Sequence, residues 1–323
     1  MKKTLSIILA AVMTLSAGIG LTSCGASGSY TVGICQLVPH PALDAATQGF
    51  KDTLIAEFGE NVTFIDQNAQ NDTTACTTIV NDFVTKNVDL IMANATPSLQ
   101  DAANGTTTIP VLGTSITEYG TALGIENFTG TVGNNISGTS DLAPLDQQAQ
   151  MILDLFPDAK TVGMLYCSAE ANSAYQVKVV TEYLTAKGIT CTDFSFSDSN
   201  DVAAVSAAAA AASDVLYIPT DNTAASCTEA INGAVLPTGT PIIAGEEGIC
   251  SGCGVATLSI SYYDLGVKTG KMAIEILKGQ TKVEEMAIGY VDTFQKKYNK
   301  ANCEALGVDI AALEAAGYVA IGE

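Results

Sequence analysis

The chain contains no arginine. All 14 of its basic residues are lysines, set against 34 acidic residues, for a net charge of −20. Nucleic acid and anionic lipid surfaces are recognised by clustered Lys and Arg, so this balance excludes both as charge-driven partners. It also means that a ligand carboxylate cannot be gripped by a bidentate guanidinium fork. Hydroxyls, free backbone N–H groups or a lysine must serve instead. The chain has one histidine, His40. A single His cannot build a multi-histidine metal site, and a Ser-His-Asp arrangement would have to use it. No Gly-x-Ser-x-Gly elbow lies near a strand end. Gly130-Thr131-Val132-Gly133 lacks the Gly-Lys-Ser/Thr ending that reaches phosphates. Neither an enzyme nor a metal or other cofactor is indicated. His40, between Pro39 and Pro41 ahead of a helix, is expected to cap that helix or to edge a cleft.

Long apolar runs are also missing, apart from one at the start. Lys2 and Lys3 precede an apolar stretch from Leu5 to Leu15. It is shorter than the ~20 residues a membrane-spanning helix needs, and reads as a cleaved signal peptide over residues 1–23. Leu21-Thr22-Ser23-Cys24 resembles a bacterial lipobox, which makes Cys24 the lipidated first residue, carrying acyl chains such as palmitate. Residues 24–30 are then a lipidated Cys with a short flexible tether. No acidic residue precedes Cys24, so loss of Lys2 and Lys3 takes the charge to −22. The expected location is the outer face of a bacterial cell membrane.

Eight further cysteines follow. An even count in an exported chain invites a disulfide reading. Most, however, sit inside apolar runs such as Val32 to Cys35 and Met164 to Cys167, where a thiol serves as a small buried hydrophobe. Mostly free thiols are expected. Cys250 and Cys253 form a lone CxxC, consistent with a local disulfide, two free thiols, a redox pair or half a zinc site.

An internal repeat organises the rest. The first half reads as a strand (Val32 to Cys35), a helix from Pro41 with apolar residues three or four apart, a strand (Val62 to Ile65), a helix after Asp72, a strand (Val88 to Met92), a short helix opened by Pro97, and a strand (Ile109 to Leu112). The second half repeats the plan. Strands Val162 to Tyr166, Ile189 to Phe196, Asp214 to Ile218 and Pro241 to Ile243 alternate with helices Asn172 to Lys187, a poly-alanine helix after Asp201, and Asn222 to Asn232. Gly33 aligns with Gly163, Asp89 with Asp214, and Pro110 with Pro241. Near-continuous apolar strands alternating with helices imply α/β architecture: two doubly wound, Rossmann-like lobes with parallel sheets covered on both faces. Residues 31–143 plus about 257–282 are assigned to lobe one, and 144–256 plus about 283–323 to lobe two.

Ligands of open α/β sheets bind beyond the carboxyl ends of the strands, and two lobes facing each other there form a cleft that closes by a hinge. The cleft-lining candidates are Gln36, Ala95, Thr96, Ser98, Ser115 and Thr117 from lobe one, and Asn172, Ser173, Thr220, Asp221, Asn222 and Glu246 from lobe two. Thr96-Pro97-Ser98, at a helix start, can hold a carboxylate through hydroxyls and free N–H groups, or Thr96 can simply be an N-cap. Asp221 is the candidate partner for a cation, or likewise a cap, with Glu246 a second acid nearby. An acid facing an anion site is what a zwitterionic amino acid requires.

The strings Val32-Gly33-Ile34-Cys35-Gln36-Leu37-Val38-Pro39-His40-Pro41-Ala42-Leu43-Asp44, Asn68-Ala69-Gln70, Val88-Asp89-Leu90-Ile91, Ala95-Thr96-Pro97, Pro219-Thr220-Asp221-Asn222 and Gly266-Val267-Lys268-Thr269-Gly270-Lys271-Met272-Ala273 resemble the ABC transporter substrate-binding lipoproteins of the tryptophan/tyrosine uptake type. The resemblance runs from about Thr31 to Asp309. It implies a type I periplasmic-binding fold with three crossovers between lobes, a small-molecule ligand that is often an aromatic amino acid, and permease and ATPase partners. A monomer is expected. The chain departs from the pattern in its cysteine-rich loop Gly248 to Gly254 and in having no arginine. The alternative within this fold is a ligand sensor not coupled to transport.

Overall fold

The computed structural model describes residues 29–322; the leader and Cys24 lie outside them. The described chain opens with β1 (Tyr30–Gln36), α1 (Pro41–Phe58), β2 (Val62–Asn68), α2 (Thr73–Lys86), β3 (Leu90–Asn94), α3 (Thr96–Gly105), β4 (Val111–Ile116), α4 (Tyr119–Leu123) and β5 (Ile136–Ser140). Local chemistry sets these limits. Pro41 opens α1 where no N–H is needed, and Asp72 caps α2 by accepting from the N–H of Thr74 at 2.7 Å. Asn87, in the left-handed region, ends α2.

The second lobe comprises α5 (Leu145–Leu155), β6 (Thr161–Cys167), α6 (Ala171–Ala186), β7 (Thr190–Phe196), α7 (Val202–Ala212), β8 (Val215–Ile218), α8 (Asn222–Ser226), α9 (Thr228–Val235), β9 (Ile242–Ala244), α10 (Glu247–Cys253) and β10 (Ala256–Ser259). The long helix α11 (Tyr262–Leu277) then returns to pack on α1, and β11 (Gly289–Tyr290) pairs with β5. The chain finishes in lobe two with β12 (Gln295–Tyr298), α12 (Lys300–Leu306), α13 (Ile310–Ala315) and β13 (Val319–Ala320).

Among the described residues there are two sheets, ordered β11-β5-β4-β3-β1-β2 and β13-β12-β10-β9-β8-β6-β7. All pairings between these strands are parallel except β10 with β12. The five central strands run 5-4-3-1-2 in one lobe and 10-9-8-6-7 in the other, the same order, as the repeat requires. The aligned residues do matching work. Asp89 accepts from the N–H of Thr31 at 2.7 Å, and Asp214 from the N–H of Thr161 at 2.9 Å, each bracing the start of its lobe's leading strand. Gly33 and Gly163 both leave room for an apolar side chain, Phe83 and Leu216 respectively, that a Cβ would overlap.

The chain passes between lobes three times, at 141–144, 260–261 and 291–294. The third passage falls later than the division near 282 expected from the sequence. Gly289 and Tyr290 pair with Thr139 and Ser140, and Ser137 Oγ donates to the Met286 carbonyl at 3.1 Å, so 283–290 stays with the first sheet. Ala42, Ala46, Ile260, Tyr262 and Leu265 form a buried apolar cluster, with Val291 and Phe294 against it, where the passages run together. The expected single helix over Asn222 to Asn232 is two, broken at Cys227.

Candidate functional site

The carboxyl ends of the two sets of parallel strands face one another across the interlobe junction. In lobe one, β3 ends at Asn94 and the chain turns into α3 through Ala95, with φ 93° and ψ 156°. Only glycine adopts that region without strain, which makes it a conformation stored where function needs it. Ala95 occupies the N-cap position but offers no side-chain cap, so the N-cap expected at Thr96 lies one residue earlier and the helix start keeps free N–H groups. At the end of β4, Ser115 is also left-handed, with φ 56°; its buried Oγ has no partner. Two strained, non-glycine residues thus stand on neighbouring strand ends.

The remaining lobe-one candidates divide. Gln36 is committed within its lobe: its Nε2 donates to Asp44 at 2.6 Å and to the Val38 carbonyl, and its Oε1 accepts from Thr47 at 2.6 Å. Ser98 is turned into the core, with Oγ 3.8 Å from Cys35 Sγ and 3.6 Å from Cys76 Sγ. Thr96 and Thr117 are buried at the strand ends, and the Thr117 hydroxyl neighbours Asp141.

The lobe-two acids are caps before anything else. Asp221 accepts from Ala224 N–H and Cys167 N–H, both at 2.7 Å, with the Ser173 hydroxyl also against it. Glu246 accepts from Gly248 N–H at 2.6 Å and Ile249 N–H at 2.5 Å. Burial pushes each up to about 7, with the helix-end donors opposing it. Both therefore spend their lone pairs on their own lobe. Thr220 is held by Gln176 and Asn172 through its backbone, and Asn172 keeps a buried Oδ1 with no partner.

Three side chains that sequence reasoning did not single out complete the picture. Glu170 is 4% exposed and organises the start of α8, accepting from the N–H groups of Asn222 and Thr223, the Thr223 hydroxyl and the amides of Asn172 and Asn222. It lies in the loop between β6 and α6, just ahead of the candidates Asn172 and Ser173, and nothing in its sequence neighbourhood marks it out. Asp141, the first residue after β5, is 4% exposed; its Oδ2 accepts from the Tyr262 hydroxyl at 2.9 Å and its Oδ1 is unpartnered. Asn71 Nδ2 donates to Thr223 Oγ1 at 3.1 Å across the junction. His40, at the N-cap of α1 without a cap bond, sits at the cleft edge and brings Nε2 to 3.4 Å from Asn222 Oδ1, also across the junction. Burial lowers its pKa, so the ring is neutral at pH 7. An interlobe cavity of about 460 Å³ lies alongside, lined by Pro41, Ala42, Glu246, Ser251, Tyr262 and Lys297 among others. All eight cysteines among the described residues are unbonded.

Two duplicated α/β lobes, joined by three passages and lined at their junction by buried, partly unpaired polar groups, define a two-lobed binding protein of the type I periplasmic-binding class. The family model for ABC transporter substrate binding proteins matches residues 31–315, and the chain belongs to that family. It is thus the solute-binding component of a transport system, an extracytoplasmic and non-enzymatic role. Among the described residues no helix is long and apolar enough to cross a membrane. A tyrosine-binding protein of Clostridioides difficile is 33% identical over 333 residues, 98% of this chain and 96% of that one. An ABC domain from Streptococcus pneumoniae in complex with L-Trp is 31% identical with a TM-score of 0.85, covering 91% of this chain and 100% of that one. The ligand-free, open form of a substrate-binding protein with adhesive properties from Clostridium difficile is 36% identical, with a TM-score of 0.68 over 90% of this chain and 99% of that one.

Proposed function

We propose that the protein captures an amino acid, an aromatic one, between its lobes and hands it to a permease driven by an ATPase. The observation that carries this reading is the row of unsatisfied polar groups at neighbouring strand ends: the uncapped start of α3 behind strained Ala95, the partnerless hydroxyl of Ser115, and the free carboxylate oxygen of Asp141. Buried polar groups without partners are rare in folded proteins, and a zwitterion supplies both the acceptor and the donors they need. Relatives that bind tyrosine or hold L-Trp support the ligand class. The arrangement of the lobes also agrees better with the L-Trp complex than with the open, ligand-free relative, although the open one is more similar in sequence. This favours a closed state as the described one, with the lobes turning about the three passages.

The transport reading has further parts. Cys24 is the lipidated residue that anchors the chain outside the cell membrane once the leader is removed, and the protein works as a monomer. Of the cleft candidates, we assign solute contact to Thr96, Ser115, Thr117 and Asn172, and a framing role to Gln36, Ser98, Asp221, Asn222 and Glu246, whose polar atoms are already engaged. The test is a thermal-shift panel of amino acids, nucleosides and sugars on the purified chain. A ligand specific to the folded state adds RT ln(1 + [L]/Kd), about 2.7 kcal/mol at a hundredfold excess over Kd. Tyrosine, tryptophan or phenylalanine is expected to raise the melting temperature, whereas a response confined to sugars or nucleosides would sink the reading.

A further inference from the structure

We infer that Asp141 is the anionic partner of the solute's ammonium group, a role that neither Asp221 nor Glu246 fills. The inference rests on the amino-acid reading above and specifies its chemistry. Among the described residues four carboxylates are buried, Asp141, Glu170, Asp221 and Glu246, and their lone pairs tell them apart. Asp221, Glu246 and Glu170 each accept from two backbone N–H groups, and Glu170 from three side-chain donors as well. Asp141 accepts the Tyr262 hydroxyl on Oδ2, with the Thr117 hydroxyl also against the carboxyl, and no backbone N–H of a helix start. Its Oδ1 is buried and has no donor, and no salt bridge among the described residues includes it. An ionised oxygen in that condition costs more than a neutral unpaired group, and an ammonium with three N–H donors relieves it.

Position supports the assignment. Asp141 follows β5, and β5 lies beside β4, with Ser140 opposite Ile116. The partnerless Ser115 hydroxyl and the Asp141 carboxylate therefore stand on adjacent strand ends, and the start of α3 on the next one. Neighbouring strands lie about 4.8 Å apart. A single α-amino group and its carboxylate span that step when each adds one hydrogen bond. Tyr262 is the positioning residue: the first residue of α11, it donates to Asp141 and also meets the Thr220 hydroxyl of lobe two. Burial pushes Asp141 up to about 6, so it is ionised at neutral pH and protonated at mildly acidic pH.

The experiment uses the whole chain purified in detergent, with binding measured by calorimetry. The probes are L-tyrosine and L-tryptophan, the same compounds without the ammonium (3-(4-hydroxyphenyl)propanoate and indole-3-propanoate), and the same without the carboxylate (tyramine and tryptamine). Asp141→Asn is expected to weaken amino-acid binding by about 30- to 1,000-fold, with the propanoates changed by less than about threefold. Tyr262→Phe should weaken the amino acids by a smaller factor, about three- to tenfold. A second measurement needs no variant. Amino-acid affinity in the wild-type protein should fall about fivefold between pH 6 and pH 5, while propanoate affinity should not. The titratable groups facing Asp141 are Tyr262, Tyr119 and Glu246; the tyrosines stay neutral in that range, and the propanoates control for Glu246.

Unchanged amino-acid affinity in Asp141→Asn, or an equal loss for the propanoates, overturns the Asp141 assignment and leaves the amino-acid reading standing. Asp141-dependent binding of tyramine or tryptamine alone keeps the assignment and overturns that reading. A wild-type protein that binds only uncharged solutes overturns both.

Discussion

Between pH 3.8 and 6, a carboxyl raised as far as that of Asp141 binds more protons in the folded chain than in the unfolded one. Stability therefore falls as pH rises through that window. The penalty is absent below the unfolded value, grows across the window and is complete above about 6. The shift corresponds to about 3 kcal/mol at most. Asn cannot ionise, so the stability difference between Asp141→Asn and wild type, both ligand-free, should grow by about that much between pH 4 and pH 7.5. Urea unfolding at a series of pH values measures it, and a difference that does not move with pH would remove the buried-charge argument. The same residue then destabilises the empty protein and strengthens the loaded one, the usual relation at a binding site. Residue identity alone did not reveal this. Asp221 and Asp141 are the same amino acid beside a strand end, and only the geometry tells which carboxylate has already spent its lone pairs on N–H groups. His40 was easier, because a polar ring between two prolines ahead of a helix has few places to go but the mouth of a cleft.

Helix α11 shows how an element is positioned by what it omits. A Cβ on Gly266 would stand 2.0 Å from the Ala46 carbonyl oxygen of α1, and one on Gly49 of α1 would stand 2.2 Å from the Tyr263 carbonyl oxygen. The two backbones touch, and this contact carries the chain back from the second passage into lobe one. Gly266→Ala must push the helices apart and is expected to cost about 1–3 kcal/mol. Gly233, inside α9 with open space around it, gives the contrast: Gly233→Ala should stabilise by about 0.5–1 kcal/mol. Denaturant midpoints test both, and equal responses would show that α1–α11 contact is not the constraint. At this scale the sequence was informative wherever strands are apolar and helices carry caps, which covers most of both repeats. It failed at β5 and β11. Ser137 and Thr139 of β5 are fully buried yet polar, because Ser137 bonds to the Met286 carbonyl and Thr139 lies 2.7 Å from the Thr269 hydroxyl. A strand whose inward face is satisfied by hydroxyls leaves no hydropathy signal. The two residues of β11 are too few for any periodicity. Missing them moved the third passage, and with β5 went Asp141.

Two lobes that close on a solute need contacts that exist only when closed. In the closed state proposed above, His40 to Asn222 and Asn71 to Thr223 are assigned that part. Both lobe-two partners are held by one carboxylate, since Glu170 accepts from the N–H groups and side chains of Asn222 and Thr223 together. Glu170 therefore presents a rigid edge of lobe two to the first lobe, and its engagement does not change as the cleft opens. A neutral hydrogen bond contributes about 0.5–1.5 kcal/mol, so losing one of these contacts shifts the open–closed balance by a factor of about 2 to 12. Asn71→Ala removes a donor lying outside the solute-contacting residues. Its effect should fall on release, because the solute meets the open cleft and leaves only after reopening. Stopped-flow kinetics should show the dissociation rate of the bound amino acid rising by about that factor, with the association rate little changed. Small-angle scattering of the ligand-free variant should give a larger radius of gyration than wild type. An association rate that falls while dissociation stays fixed would mean that Asn71 shapes the open cleft and does not fasten the closed one.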